Sequence, residues 1–283
     1  LKKFDIPAPR YTSYPTADRF TSALTAEDYE EALRNRENEK NKRALSVYVH
    51  IPFCNDICYY CGCNKIVTRD HDRATGYLDV IAKEADLVKQ HLTGDTEIEQ
   101  LHFGGGTPTF LTNEELERVM SIIRTRFPLQ KGGEFSIEVD PRCCPKDKVE
   151  KLAELGLNRM ILGVQDLNPD VQKAVNRIQP YELVRDTVNN ARAAGFHSVN
   201  MDLIYGLPKQ TRESFAETID KVIEMSPDRI ALYHYAHLPN HFKPQRMILN
   251  ADLQDQGYIG YDTLRNITCG YGSATGITHC WQS

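Results

Sequence analysis

Residues 45–63 read LSVYVHIPFCNDICYYCGC, an apolar run, Leu45–Ile51, that passes directly into a loop carrying Cys54, Cys58 and Cys61. The run is short and rich in branched and aromatic residues, which reads as a strand. Chemistry that starts where a strand ends is the habit of parallel α/β enzymes, whose sites gather at the C-terminal edge of the sheet. The C-x3-C-x2-C spacing puts three thiolates on one loop. They suit three corners of a 4Fe-4S cube with the fourth iron open, whereas an electron-transfer cluster normally takes four Cys ligands. A structural zinc site usually brings two paired knuckles separated by a longer span. No second knuckle follows, and zinc stands as the runner-up. A disulfide framework is not expected of a chain long enough to bury its own core. Cys63 reads three ways: a fourth ligand, a gatekeeping thiol, or a small buried residue.

Composition frames this loop. The 283 residues, 41% hydrophobic and 26% charged, describe one large globular domain or one domain with an appendage. No stretch approaches the ~18 uninterrupted apolar residues of a spanning helix, so no membrane span is expected. A net charge of −5 without a basic run gives no electrostatic reason to expect nucleic acid. Eight Cys in such a chain point to a reducing compartment, and a cytoplasmic monomer is expected. Cys143 and Cys144, before Pro145, read as incidental loop or helix-start residues.

Outward from residues 45–51, further strand-like runs lie at 98–103, 135–139, 160–164, 199–205 and 230–235. Helical signals separate them. Tyr77, Ile81, Ala85, Val88 and Leu92 recur at helical spacing, and Thr112 with Glu115 is a capping box ahead of Leu116, Val119, Met120 and Ile123. Asn168 followed by Pro169 opens another helix, while Gly156 and Gly195 stop two more. Strand and helix alternating about six times imply right-handed crossovers and a parallel sheet buried on both faces. His50 and the Cys loop, 104–107, Glu138 and Asp140, Gln165 and Asp166, Asp202, and 235–237 fall at or near successive strand ends. In a partial TIM barrel these converge on one cavity, whereas a doubly wound sheet converges only at a switch point. An open partial α/β barrel is therefore expected.

The stretch GGGTPT, 104–109, follows the second strand. Glycines let backbone groups approach a ligand closely, and three in a row beside the Cys loop read as a cradle. Glu138 is placed to accept hydrogen bonds from ribose hydroxyls, as acids do at strand ends in nucleotide folds; its plainer reading is a solvated strand-end acid. His50, His102, His234 and His237 are more often scaffold than ligand at such positions. Of these, His50 and His237 are the better candidates for cavity contacts.

The Cys loop, GGGTPT, SIEVDPR (136–142), GVQD (163–166), MDLIYGLPKQT (201–211) and YAHLP (235–239), in that order and spacing, resemble the radical S-adenosylmethionine (SAM) enzymes, and among them the oxygen-independent coproporphyrinogen III oxidases. PRYTSYPTA (9–17) and CGCNKIVTRD (61–70) are similar to that family's N-terminal arm and extended cluster motif. The resemblance covers residues 8–250. It implies an open (βα)6 barrel over 44–250 behind an N-terminal arm and helix over 1–43. It further implies that Cys54, Cys58 and Cys61 hold a 4Fe-4S cluster, with a first SAM chelating the open iron near Tyr48, Gly105 and Glu138. A second SAM is implied at Tyr60, Gly106, Thr107, Gln165, Arg177, Asp202 and Ala236, with Ile204 nearby. Tyr60 stands where the best-known member of the family has Phe, which preserves an aromatic wall.

In such enzymes a reduced cluster cleaves SAM, and the resulting 5'-deoxyadenosyl radical takes a hydrogen from substrate. The resemblance implies coproporphyrinogen III as substrate, two of its propionates becoming vinyl groups, with an unidentified electron donor. Cys63 is the expected catalytic thiol. Arg10, Lys65 and Arg69, flanking the cluster, are candidates to receive the substrate's carboxylates. A related methyltransferase or a haem chaperone is the competing reading; the chaperone is expected to lack both PRYTSYPTA and Cys63. The resemblance ends after ILNADL (248–253), where the family continues with a long helix, a strand and a further domain. The sequence is therefore expected to be incomplete, or joined across missing segments, over 251–283, with a natural truncation as the second reading.

Overall fold

The computed structural model describes residues 19–40, 42–93 and 96–253; the PRYTSYPTA arm with Arg10 and almost all of 251–283 lie outside them. Helix α1 (Ala26–Glu37) opens on a capping box between Thr25 and Asp28 and buries none of its residues. Strand β1 (Leu45–Ile51) leads into the Cys loop, which is bracketed by a short parallel pair, β2 (Phe53–Cys54) and β3 (Ile66–Val67). Then come α2 (Asp72–Lys89), β4 (Ile98–Gly105), α3 (Asn113–Arg124), β5 (Leu129–Val139), α4 (Lys146–Glu154) and β6 (Arg159–Gln165). The chain goes on through α5 (Pro169–Ala174), α6 (Tyr181–Ala193), β7 (Ser198–Tyr205), α7 (Arg212–Glu224) and β8 (Arg229–His234).

The six long strands form one sheet in the order β1-β4-β5-β6-β7-β8, every pair parallel. Strand order follows chain order without reversal, so there is no topological switch point and each right-handed crossover winds the same way. The crossing helices accordingly share one face, where α2 meets α3, α3 meets α4, and α4 meets α6. Among the described residues strands β1 and β8 are the two edges of the sheet, which makes this part of the fold an open, partial barrel.

The expected local signals operate. Thr112 accepts from Glu115 N at 3.2 Å while Glu115 accepts from Thr112 N at 2.8 Å. Asn168 caps α5 and Pro169 occupies its first turn. Gly156 and Gly195, with φ of +80° and +93°, close α4 and α6 in a conformation that a Cβ would strain.

Two expectations are corrected. Strand β5 starts at Leu129 rather than at residue 135, and Gly132 and Gly133 sit inside it. A Cβ on Gly133 would lie 2.6 Å from Glu99 O, so glycine there permits close approach to β4. The sheet is also dry on one face only. Leu101, Phe103, Ile137, Met160, Leu162, Val164, Val199, Met201 and Leu203 point toward the helices and are fully buried. The alternating residues, among them Tyr48, His50, His102, Glu138, Gly163 and Asp202, line the concave face and remain partly accessible or polar. A period of two thus separates the core from the cavity wall.

Candidate active site at the strand ends

The Cys loop is held to the barrel mostly through backbone groups. Ile66 N donates to Pro52 O at 2.7 Å and Thr68 N to Cys54 O at 2.9 Å, closing the short β pair around the loop. Across the mouth, Tyr59 N donates to Val175 O at 2.9 Å, and Asn176 Nδ2 to Ile57 O at 2.7 Å. Gln245, in a 3-10 turn at Lys243–Met247, donates to Tyr60 O at 3.0 Å and Ala236 O at 3.1 Å and accepts from Leu238 N. The Phe242 ring packs against Gly62, where a Cβ would come 3.0 Å from its Cζ. His50 joins this scaffold: Nε2 donates to Asn64 O, so Nδ1 accepts from Tyr48 Oη, both at 2.9 Å.

The three thiols differ in surroundings. Cys54 and Cys58 are buried, Cys61 is half-buried and Cys63 is exposed. Cys58 Sγ accepts from Arg177 Nη1 at 3.6 Å and from Arg142 Nη2 at 3.7 Å. Cys61 Sγ accepts from Cys63 N at 3.4 Å. The Cys63 thiol also donates to Cys61; against burial, and helped by Lys65, this brings the Cys61 thiol down to about 6 and leaves Cys63 itself firmly protonated. Cys54, 3.4 Å from Thr107 Oγ1, is pushed up to about 11 by burial. Gly106 fits against this sulfur: a Cβ there would stand 2.5 Å from Pro52 O and 2.9 Å from Cys54 Sγ.

The donor set suits a cluster. Three thiols share one loop, with guanidinium, backbone N–H or hydroxyl donors beside their sulfurs, as ligating thiolates prefer. Among the described residues no three His, Cys, Asp or Glu side chains converge as a single-ion site would need. A cube places each ligand on a different iron and does not require that convergence. A second sign of fit is Arg177 Nε, which is buried without a hydrogen-bond partner.

On the concave face, Glu138 accepts from Gly105 N at 3.2 Å and lies 3.4 Å from His102 Nε2. His102 Nδ1 pairs with Ser136 Oγ at 2.7 Å, and its ring stacks on Tyr48 with centroids 5.7 Å apart. Gly105 has φ +127°, and a Cβ there would collide with His50 and Ile51 O, so the cradle admits only glycine. Burial, and then the charge of Glu138, push Asp202 up to about 7 against the pull of His102.

Other expected site residues take different places. Gln165 holds φ +65° at a break in the β6–β7 register, a strained conformation for a side-chain-bearing residue. Arg177 spends Nη2 on Gly163 O at 2.7 Å and Nη1 on Asp140 at 3.0 Å, which leaves Nε as its one unpartnered donor. Ile204 and Tyr60 pack beside a small apolar cluster of Val171, Val175, Leu207, Tyr235 and Ile248. Ala236 is exposed, and His237 Nδ1 is 2.8 Å from Tyr235 Oη. Asp166 does not face the cavity. It is buried and braces the turn after β6, accepting from Asn168 N and Thr218 Oγ1. Asp140 is likewise buried, between Arg142 and Arg177. Cys144 is buried and Cys143 follows Arg142 in a 3-10 turn. Lys65 is committed to Cys61 O and Cys63 O, while Arg69, its side chain 78% exposed, pairs with Asp56.

Sequence reasoning gave Arg142, Asn176, Phe242 and Gln245 no role. Arg142 lies inside the SIEVDPR stretch, which is the one signal that could have found it. The others act through contacts more than a hundred residues away in sequence.

Comparison with known proteins adds three findings. The Radical SAM superfamily profile matches residues 48–222. The chain is 49% identical over 259 residues to the oxygen-independent coproporphyrinogen III oxidase of Pseudomonas aeruginosa, an alignment covering 91% of this chain and 56% of that protein. For the enzyme of the same name from Escherichia coli the identity is 47%, covering 89% and 54%. A solved structure of the E. coli coproporphyrinogen III oxidase, described as a radical SAM enzyme, superposes with TM-score 0.85 at 45% identity, covering 93% of this chain and 59% of that one. The chain thus spans about half the length of the curated relatives it matches.

Proposed function

The chain belongs to the radical SAM superfamily, and from that premise we propose that it carries the catalytic barrel of an oxygen-independent coproporphyrinogen III oxidase, acting in haem biosynthesis in the cytoplasm. The observation that carries this reading is the packing of the three-thiol loop against the glycine cradle, with Gly106 on Cys54 and Gly105 on Glu138. What favours an oxidase over a methyltransferase or haem chaperone is that relatives 47–49% identical across about nine-tenths of this chain bear the oxidase name.

In this reading Cys54, Cys58 and Cys61 would hold a 4Fe-4S cluster, with SAM bound beside it. The cluster and SAM supply, when bound, a one-electron cleavage that arms a carbon centre for hydrogen abstraction, an electron donor feeding the cluster. Tyr48, Gly105 and Glu138 orient this first SAM: the carboxylate, fixed by Gly105 N–H and His102, presents its remaining acceptor capacity to ribose hydroxyls. Tyr60, Gly106, Thr107, Gln165, Arg177, Asp202, Ile204 and Ala236 form the wall for a second SAM. There Arg177 Nε is the donor left for a ligand, and Asp202, pushed up to about 7 and so protonated about half the time near pH 7, is able to donate as well as accept. The concave wall excludes water from the reacting carbon and holds the propionate close to it, which is catalysis by positioning. Arg10 and Arg69 receive substrate carboxylates; Lys65 instead stiffens the cluster loop. Cys63 stands at the accessible edge as the catalytic thiol.

Anaerobic reconstitution tests this. About four irons per chain, reductive formation of 5'-deoxyadenosine, and decarboxylation of coproporphyrinogen III are expected. Changing any of Cys54, Cys58 or Cys61 to Ala abolishes all three, whereas C63S keeps iron and loses turnover. Reconstituted protein that holds only zinc, or that leaves SAM intact under strong reductant, would overturn the proposal.

A further inference from the structure

Asp140, Arg142, Arg177 and Cys58 form one compact group behind the cluster loop. Asp140 caps the 3-10 turn at Pro141–Cys143 by accepting from Arg142 N at 3.0 Å, and it also receives Arg142 Nε at 3.0 Å and Nη2 at 2.7 Å. From the other side it takes Arg177 Nη1 at 3.0 Å. Both guanidinium groups then continue to the same sulfur, Cys58 Sγ. The charges do not balance within the three conventional ions: two cations face a single carboxylate, and Arg177 and Asp140 are nearly inaccessible. An uncompensated charge in such a place is costly. Both guanidinium groups aim donors at the Cys58 sulfur, and with Cys58 ligating as assigned above that sulfur would bring the count to two and two.

Resting on the cluster assignment made above, we infer that Arg142 is a redox-tuning residue, raising the reduction potential of the cluster through its hydrogen bond to Cys58 Sγ. Reduction adds an electron to the cluster and its sulfurs. Donors and positive charge at a ligating sulfur favour the more negative state, and hydrogen bonds to cluster sulfurs are among the levers that set such potentials. The two arginines divide the work. Arg177 also anchors β6 through Gly163 O, so its loss disturbs the sheet. Arg142 is more accessible, with 22% of its side chain exposed, and its side-chain donors serve Asp140 and Cys58. Arg142 is thus the lever that can be altered without removing the wall behind it.

The experiment is an anaerobic redox titration, followed by electron paramagnetic resonance, of the reconstituted full chain beside R142Q and R142K. For R142Q the one-electron reduction equilibrium is expected to fall at least tenfold, a midpoint about 59 mV more negative, with iron per chain unchanged. R142K keeps the charge without the fork that reaches Asp140 and Cys58 together, and is expected to fall between. A merely structural role would move the thermal midpoint and leave the potential in place. Full iron with the wild-type potential in R142Q overturns the inference and leaves the functional reading standing. Should R142Q fail to fold or load, R142K decides alone: a lowered potential supports the inference and an unchanged one overturns it. A wild-type chain that takes up no cluster overturns the functional reading, and this inference with it.

Discussion

Asp202 lies midway along β7 on the concave face, where its carboxylate is poorly solvated and shares the wall with Glu138. Burial and then Glu138 raise it to about 7, while His102 pulls the other way. In the unfolded chain it titrates near 4. Between those values the folded protein holds a proton that the unfolded chain has released, so this group's contribution to stability falls as pH rises from about 4 to about 7 and is constant above. D202N removes the titration. Its stability relative to wild type is therefore expected to climb by on the order of 2 kcal/mol between pH 4 and pH 8, with roughly 4 kcal/mol as the ceiling set by a shift of about three units. Urea unfolding of both proteins at several pH values measures this, and parallel curves would refute it. That Asp202 belongs to the cavity was legible from sequence as a polar residue in an apolar strand run, although it lies midway along β7 and not at its end. Its altered protonation was not, since that depends on burial in the folded wall and then on Glu138, which arrives from another strand.

At the scale of elements, the legible features were those written locally. Branched runs marked all six strands, and Thr112, Asn168, Gly156 and Gly195 marked helix ends that the structure keeps. The start of β5 escaped because the apolar run opens only at residue 135, and what lets the strand begin earlier, approach of Gly133 to the backbone of β4, is non-local. The cluster loop shows the same division. Its cysteines were evident from spacing, but what holds it in place comes from 175–177 and 242–248, segments with no motif. Gln245 is the clearest case, 2% exposed and bonded to Tyr60 O, Ala236 O and Leu238 N. Q245A would leave two carbonyls and one N–H without partners. A loss of ~3 kcal/mol is expected, since each unsatisfied buried group costs about 1–3 kcal/mol and partial hydration offsets some of it. Equilibrium denaturation checks the stability, and iron released to a chelator from the reconstituted variant, faster than from wild type, checks that the clasp serves the loop.

At the scale of the whole molecule, the sequential sheet places mechanical strength and chemical access at different positions. Strand β6 has partners on both sides and buries Met160, Leu162 and Val164 completely beneath the helices. Among the described residues strand β8 is paired only with β7, and its core residues Ile230 and Leu232 each keep 8% exposure. The cluster loop follows the other edge strand, β1, so the chemistry sits beside the opening while the rigid strands form the floor. An edge strand loses fewer contacts when it opens, and local opening energies should therefore grade across the sheet. Amide hydrogen exchange of the full chain is expected to be slowest in 160–164 and at least tenfold faster in 230–234, with β7 between. Equal protection in β6 and β8 would mean that the β8 edge is covered in solution, and that the sheet does not open there.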